Sequence, residues 1–160
     1  MKRILTLSLT VATVLAPGIA SAQEGGTYAS DLSLGYNAAQ FIQARKEGCD
    51  TADPDTRKAN DVAYGAWRKK HQALLDELER RFLAMVRRAS TDQKDYSKNV
   101  GKYAGEVLEH FEIIRKAFLA QPGEKISHQC RDLPDFLKGQ DADLPKRYAA
   151  ELKVIRKRKL

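Results

Sequence analysis

Two long runs of apolar residues at helical spacing constrain this chain more than any other feature. In both runs the apolar positions recur every three or four residues, which places them on one face of an α-helix. The first run comprises Trp67, His71, Leu74, Leu78, Phe82 and Met85, and the second comprises Tyr96, Val100, Tyr103, Val107, Phe111, Ile114 and Phe118. Because only a short segment separates them, the two runs predict an antiparallel helical hairpin.

Capping residues mark the ends of these two helices. Asp53 and Pro54 suit the N-cap and the first position of the earlier helix. Ser90 and Gln93 have the form of a capping box, which predicts the start of the later helix. The sequence Gln-Pro-Gly at 121–123 ends that helix, so we expect the hairpin to extend from residue 54 to residue 121.

The position of the turn fixes which residues of the hairpin lie side by side. In an antiparallel pair of helices, Trp67 comes level with Ile114, and Tyr64 comes level with Ala117. Together with Phe118, the two aromatic residues predict an aromatic core at the end of the hairpin that is remote from its turn.

Weaker patterns predict the remaining helices. A first helix is expected from about Asp31 to Glu47, ended by Gly48 in the position where helices favour glycine. Past Pro122 the chain is expected to be irregular, with a short helical turn over 133–138. A last helix is predicted after Asp143, with an apolar stripe of Tyr148, Leu152 and Ile155. The sequence therefore predicts an all-α, four-helix-bundle-like single domain.

The first 22 residues have the order of a secretory signal peptide. Lys2 and Arg3 precede an apolar run from Ile4 to Ala16, and the small residues Ala20-Ser21-Ala22 follow it. That run is shorter than the roughly 20 residues of a membrane-spanning helix, so we expect cleavage near Ala22 rather than a retained anchor. The mature protein is predicted to be periplasmic or secreted.

Cleavage would divide the chain into three segments. We predict a signal peptide over 1–22, a flexible leader with a Gly-Gly pair over 23–30, and one helical domain over 31–160. A domain of this length can bury a core of its own.

The sequence contains two cysteines, Cys49 and Cys130. In an oxidising compartment such a pair predicts a disulfide. Metal ligation and a redox couple are alternatives, although there is no C-x-x-C spacing and no histidine near Cys49 in sequence. In the predicted hairpin both cysteines fall at the same end of the bundle.

A basic segment ends the chain. Removal of Lys2 and Arg3 with the signal peptide lowers the formal net charge from +7 to +5. Arg156, Lys157, Arg158 and Lys159 are expected to form a frayed cationic terminus that binds an acidic envelope protein or an anionic membrane surface. The alternative is that they only complement the negative end of the last helix. A nucleic-acid partner is not expected outside the cytoplasm.

Two histidines indicate a candidate metal site. His71 and His110 come level in the predicted hairpin, and Glu106 lies one turn before His110. Two imidazoles and a carboxylate could bind zinc or a similar ion. The alternative is that both histidines are hydrogen-bonded or partly exposed without a metal. No cofactor is otherwise indicated, since the C-x-x-C-H motif for haem attachment is absent.

Motifs for catalysis are missing from the sequence. There is no G-x-S-x-G elbow, no H-E-x-x-H and no glycine-rich phosphate loop, and the carboxylates alternate with Lys and Arg as on a solvated helix face. We therefore predict no enzymatic activity. The expected function is that of a non-catalytic binding or accessory protein of the cell envelope, such as an inhibitor, an immunity-type protein or an adaptor.

The combination of these features resembles a group of small exported helical proteins of Gram-negative bacteria. The resemblance is carried by the signal peptide, Cys49 followed by Pro54, Ala66-Trp67-Arg68 on a long charged helix, and a late Cys130. It implies a periplasmic location. It implies no activity and assigns no site residue.

Overall fold

The computed structural model describes residues 20–159, and from residue 28 onward it also describes the side chains. The apolar run of the predicted signal peptide lies outside the described residues. The elements are helix α1 (Ala20–Ala52), a 3-10 turn (Pro54–Thr56), α2 (Arg57–Ala89), α3 (Gln93–Leu119), α4 (Gly123–Arg131), α5 (Leu133–Lys138), a 3-10 turn (Gln140–Ala142), α6 (Leu144–Arg147) and α7 (Ala149–Lys157). Between residues 20 and 159 the chain forms no strand, which confirms the all-α fold.

Helix α1 is longer than predicted at both ends. The segment 23–30, predicted as a flexible leader, belongs to α1 in the structure. Tyr28 and Leu32 are buried in the core, so the packed part of the molecule begins before residue 31. At the other end, α1 continues through Gly48 to Ala52.

The prediction that Gly48 ends the first helix is wrong for a steric reason. None of the described glycines has a positive φ, so Gly48 is not a left-handed cap. A Cβ atom at Gly48 would lie 2.5 Å from Cδ1 of Phe118. Glycine at this position therefore allows α3 to approach α1 closely.

The helix starts differ from the predicted caps in two places. Pro54 opens a separate 3-10 turn before α2, and the Asp53 side chain makes no capping hydrogen bond. The N-cap of α3 is Asp92, whose carboxylate accepts a hydrogen bond from the backbone N–H of Asp95 at 2.9 Å. Ser90 instead donates its hydroxyl to the carbonyl of Val86 and ends α2.

The predicted hairpin of α2 and α3 forms, but α1 is the central helix. Near the turn, the ring of Phe82 lies between Tyr36 of α1 and Tyr103 of α3, with ring centroids 5.8 Å and 5.4 Å away. Farther from the turn, α3 packs mainly against α1 at Gly48. Helix α1 also contacts α4 and α7.

Insertion of α1 changes the neighbours of Trp67. The ring is buried, as predicted, and stacks on Tyr64 at 5.9 Å. Its indole N–H donates to the carbonyl of Ala142 at 2.7 Å, so Trp67 packs toward the C-terminal segments rather than toward Ile114. Ala117, the predicted neighbour of Tyr64, is exposed. The predicted core at this end therefore differs in its neighbours, because Trp67 is bonded to the C-terminal segments and Ala117 lies outside the core.

A disulfide joins Cys49 of α1 to Cys130 of α4, as predicted, with 5.3 Å between their Cα atoms. Both cysteines are fully buried, and Ile126 and Leu133 belong to the same apolar core. We call this region, residues 42–60 and 111–133, the disulfide end of the molecule.

The C-terminal third is more helical than predicted. Helix α4 occupies the stretch expected to be irregular, while α5 has the predicted bounds. The last predicted helix is divided at Tyr148 into α6 and α7, because Tyr148 has non-helical dihedral angles (φ −111°, ψ 31°). Leu152 and Ile155 of the predicted stripe are buried. Of the helices described over residues 20–159, none is both long enough and apolar enough to cross a membrane.

Candidate functional site

The strongest concentration of charge lies where the end of α7 meets the end of α2. Residues 80–91 and 152–159 contain nine Lys and Arg residues and no Asp or Glu. We call this surface the cationic end. Its charged members are Arg80, Arg81, Arg87, Arg88, Lys153, Arg156, Lys157, Arg158 and Lys159.

Backbone carbonyl groups of the C-terminal segment hold the two parts of the cationic end together. Arg81 is almost fully buried and donates Nη1 to the carbonyls of Ile155 at 3.0 Å and Arg158 at 2.9 Å. Arg88 donates Nη2 to the carbonyl of Lys159 at 3.0 Å. The prediction of a frayed terminus is therefore wrong, because α2 supplies donors for the last carbonyls of the chain.

An ion pair adds to this attachment. Arg156 Nη2 lies 2.7 Å from Glu77 Oε2, and Arg81 Nε lies 3.0 Å from Glu77 Oε1. Hydrogen bonding from Arg156, reinforced by Arg81, lowers the pKa of the Glu77 carboxyl below its ordinary value. The same contact raises the pKa of Arg156. Glu77 thus stays ionised at neutral pH and fixes α7 against α2.

The four terminal cations have different environments. Arg156 is paired with Glu77, and the guanidinium of Arg158 lies over the ring of Tyr28, 4.9 Å from its centroid. Lys157 and Lys159 are exposed. We therefore expect a deletion of 156–160 to loosen α7 as well as to remove charge.

Five further members of the cationic end, the buried Arg81 and four exposed residues, were not predicted from sequence. Arg80, Arg87 and Arg88 are exposed on α2, and Lys153 is exposed on α7. Of the α2 members, Arg81 and Arg88 bond directly to the terminal segment. Two stretches without acidic residues could have indicated them, but only the structure shows that these stretches meet.

His71 lies in the core, away from the cationic end. Its Nδ1 is 2.9 Å from the carbonyl of Trp67, and the two rings are 4.9 Å apart. Its Nε2 has no hydrogen-bond partner, and the nearest carboxylate oxygen is Asp143 Oδ1 at 4.0 Å. Asp143 is paired with Lys70, which lowers the pKa of the Asp143 carboxyl. These contacts are those of a core histidine.

His110 and Glu106 are exposed on α3, at the edge of a cavity of about 340 Å³ between α1, α2 and α3. Glu106 pairs with Lys102 at 3.7 Å. His71 does not line this cavity. Within the part of the chain that the structure describes, no three His, Cys, Asp or Glu side chains come together as a metal site. The predicted set of His71, His110 and Glu106 is therefore not assembled.

Comparison of the chain with protein-family models, with curated proteins and with solved structures found no match. The resemblance to exported proteins of Gram-negative bacteria stays a prediction.

Proposed function

We propose that this protein is an exported, non-catalytic binding or accessory protein of the cell envelope, and that it recognises an anionic partner through the cationic end. The observation that carries the proposal is the joining of two acid-free segments at one end of the molecule.

The cationic end suits binding because most of its charge faces solvent. Glu77 accounts for Arg156 and for the buried Arg81, but it does not neutralise the others. The exposed members without a carboxylate partner in the described contacts are Arg80, Arg87, Arg88, Lys153, Lys157, Arg158 and Lys159. Such a concentration of one sign raises the local concentration of an anionic partner and its rate of association.

Export is supported by two independent features. The first 22 residues have the order of a signal peptide, and Cys49 and Cys130 form a disulfide that persists best in an oxidising compartment. The absence of a catalytic motif from the sequence is the reason for proposing binding rather than chemistry.

Fractionation of the expressing cell combined with a pull-down tests the proposal. We expect the periplasmic or secreted fraction to contain a chain that starts at Gln23, and we expect this chain to capture an envelope component. Because exposed cations act through a screened field, capture should weaken as the salt concentration rises past about 0.15 M, where the Debye length is about 8 Å.

A charge-matched pair of variants controls this experiment. Substitution of Lys153, Lys157 and Lys159 by Gln removes three exposed cations from the cationic end, whereas substitution of Lys58, Lys116 and Lys125 removes three from the opposite, disulfide end. The proposal requires capture to fall in the first variant only. Retention of the full-length chain in the cytoplasm, or equal capture by both variants, would contradict it.

A further inference from the structure

We propose that the outward side of α3 is a surface for self-association, and that its partner is the antiparallel α3 of a second copy of this chain. The proposal goes beyond the proposed function, because this surface shares no residue with the cationic end. It is carried by the order of the charges along α3 and by the exposure of the side chains that bear them.

The surface lies opposite the buried stripe of the same helix. Of the 27 residues of α3, only Phe111 and Phe118 are buried. We call the surface the outer face, and its members recur at helical spacing: Lys98, Gly101, Lys102, Gly105, Leu108, Glu109 and Glu112. All are exposed except Glu112, whose side chain still retains 44% of its accessible surface. A Cβ atom at Gly101 or Gly105 would meet nothing within 4 Å, so no described residue covers the centre of the face.

The charges of the outer face change sign at Gly105. Lys98 and Lys102 precede this glycine, and Glu109 and Glu112 follow it. Within a single helix this order is unfavourable, because the two lysines repel each other at i,i+4 spacing and because basic groups toward the N-terminus oppose the helix dipole. The order therefore indicates a contact outside the helix.

Intrahelical ion pairs account for only part of this charge. The pairs are Lys102 with Glu106, at 3.7 Å, and Glu112 with Arg115, at 3.0 Å. Exposed pairs of this kind contribute little to stability, so a stronger partner can replace them. Lys98 and Glu109 have no ion pair among the described contacts.

A second copy of α3 in antiparallel orientation supplies the opposite charges. With Gly105 of both copies at a two-fold axis, Lys98 faces Glu112 of the second copy. Lys102 faces Glu109 of the second copy in the same way. The symmetry repeats each contact, which is the property of an isologous interface. The outer face is thus complementary to itself, and a second copy is the partner whose charges it matches.

The centre of the outer face also suits close packing of two helices. Leu108 retains 65% of its accessible surface, and among the described large apolar side chains only Val62 is more exposed. In the antiparallel arrangement Leu108 comes level with Gly101 of the second copy. Because glycine has no side chain, the leucine can fill the space above it.

Like charges farther along α3 are separated by the crossing of the two helices. Lys94 and Lys116 lie about 16 Å from Gly105 along the helix. Closely packed helices commonly cross at about 50°, so residues this far from the axis diverge. The contact is then limited to residues 98–112. An interface of this size is small, so self-association should be weak and the dilute chain should be monomeric.

Sedimentation velocity over a range of protein concentrations tests the proposal on the mature chain, residues 23–160, with its disulfide intact. We expect a reversible equilibrium between monomer and dimer that shifts toward monomer as salt rises. Gly105→Leu places a bulky side chain at the axis and should abolish the dimer. Gly65→Leu on α2 is the matched control, because a Cβ atom at Gly65 also meets nothing within 4 Å. Circular dichroism verifies that both variants are folded.

Two charge-reversal variants test the antiparallel orientation. Lys98→Glu, Lys102→Glu makes all four charges negative, and Glu109→Lys, Glu112→Lys makes all four positive. Each variant alone should self-associate about tenfold more weakly, or less, because like charges then face each other. An equimolar mixture should form a heterodimer, since opposite charges face each other again. Addition of Gly105→Leu to both variants should abolish this heterodimer, which distinguishes pairing of the outer faces from general attraction between oppositely charged proteins.

Three results would overturn the proposal. They are a monomer at every concentration, equal effects of Gly105→Leu and Gly65→Leu, and a mixture of the charge-reversal variants that forms no heterodimer. A dimer that persists in Gly105→Leu would show that a different surface pairs, and would overturn it as well. The proposed function stands or falls separately, since it depends on export and on the cationic end.

Discussion

The disulfide end and the cationic end of this molecule are held together by different forces. At the disulfide end, Cys49 and Cys130 are bonded within an apolar core, and Gly48 lets Phe118 pack directly on α1. At the cationic end, α7 is attached to α2 by hydrogen bonds from Arg81 and by the ion pair of Glu77 with Arg156. The stability contributed by the disulfide and the apolar contacts depends little on salt and pH. The stability contributed by the ion pair depends on both.

If the cationic end binds the partner as proposed, this difference separates stability from recognition along one bundle. Covalent and apolar contacts supply much of the stability at the disulfide end. The cationic end can then carry many like charges, although these charges repel one another. The comparison predicts that substitutions at the disulfide end cost more than substitutions at the cationic end.

Loss of the disulfide should have the largest effect. The bond closes a loop of 81 residues, and the chain-entropy model gives an upper value of about 4 to 5 kcal/mol for such a closure. Urea unfolding of the Cys49→Ala, Cys130→Ala variant measures the loss, and peptide mapping of the non-reduced protein verifies the bond beforehand. If this variant loses less free energy of unfolding than Glu77→Gln does, the order of the two ends is reversed.

Trp67→Ala should be nearly as damaging, at about 3 to 5 kcal/mol. The substitution empties a buried site and leaves the buried carbonyl of Ala142 without its donor. Trp67→Phe keeps part of the ring volume but not the hydrogen bond, so it should fall between Trp67→Ala and the wild type. An unchanged melting temperature in Trp67→Ala would show that this part of the packing is wrong.

A pair of glycine substitutions tests the close approach of α3 to α1. Gly48→Ala places a methyl group against Phe118 and should cost about 1 to 3 kcal/mol. Gly65→Ala is the control, because a Cβ atom there meets nothing within 4 Å and alanine favours the helix by up to about 1 kcal/mol. Gly48→Ala should lower the free energy of unfolding, and Gly65→Ala should raise it. Stabilisation by both substitutions would indicate that Gly48 is not a contact between helices.

Glu77→Gln should have the smallest effect of the four, about 1 kcal/mol at pH 7. Hydrogen bonds from Arg156 and Arg81 lower the pKa of Glu77 below its ordinary value of 4.5. A lowered pKa adds stability that is present above about pH 4.5 and is lost as the pH falls through the folded-state value. Urea unfolding should therefore show a difference between wild type and variant at pH 7 that closes in acid. A difference independent of pH would contradict this role, and Glu109→Gln on the exposed face of α3 is the control.

Local patterns in the sequence were sufficient for the elements that depend on one helix at a time. The apolar periodicities of α2 and α3, the short helix α5 and the buried stripe of Leu152 and Ile155 are all present in the structure. The cysteine pairing followed from composition and compartment, without knowledge of the fold.

The sequence-based predictions that proved wrong concern features that depend on which helices pack against each other. Several helices contact α1, so its apolar residues are spread around its circumference and do not reveal that it is central. Trp67 and His71 have neighbours in the C-terminal segments, at Ala142 and Asp143, which the pattern of α2 does not reveal. Gly48 has the sequence signature of a cap, and only the position of Phe118 explains it. The cationic end likewise exists only because α7 returns to α2.

Hydrogen exchange measured by mass spectrometry at low and at high salt concentration tests the division between the two ends most directly. It reports the protection of backbone amides segment by segment. At low salt we expect slower exchange around Cys49 and Cys130 than in 152–159. High salt screens the ion pair of Glu77 with Arg156, so it should accelerate exchange in 152–159 and leave 111–133 unchanged. Faster exchange confined to the disulfide end, or no change in 152–159, would contradict the account.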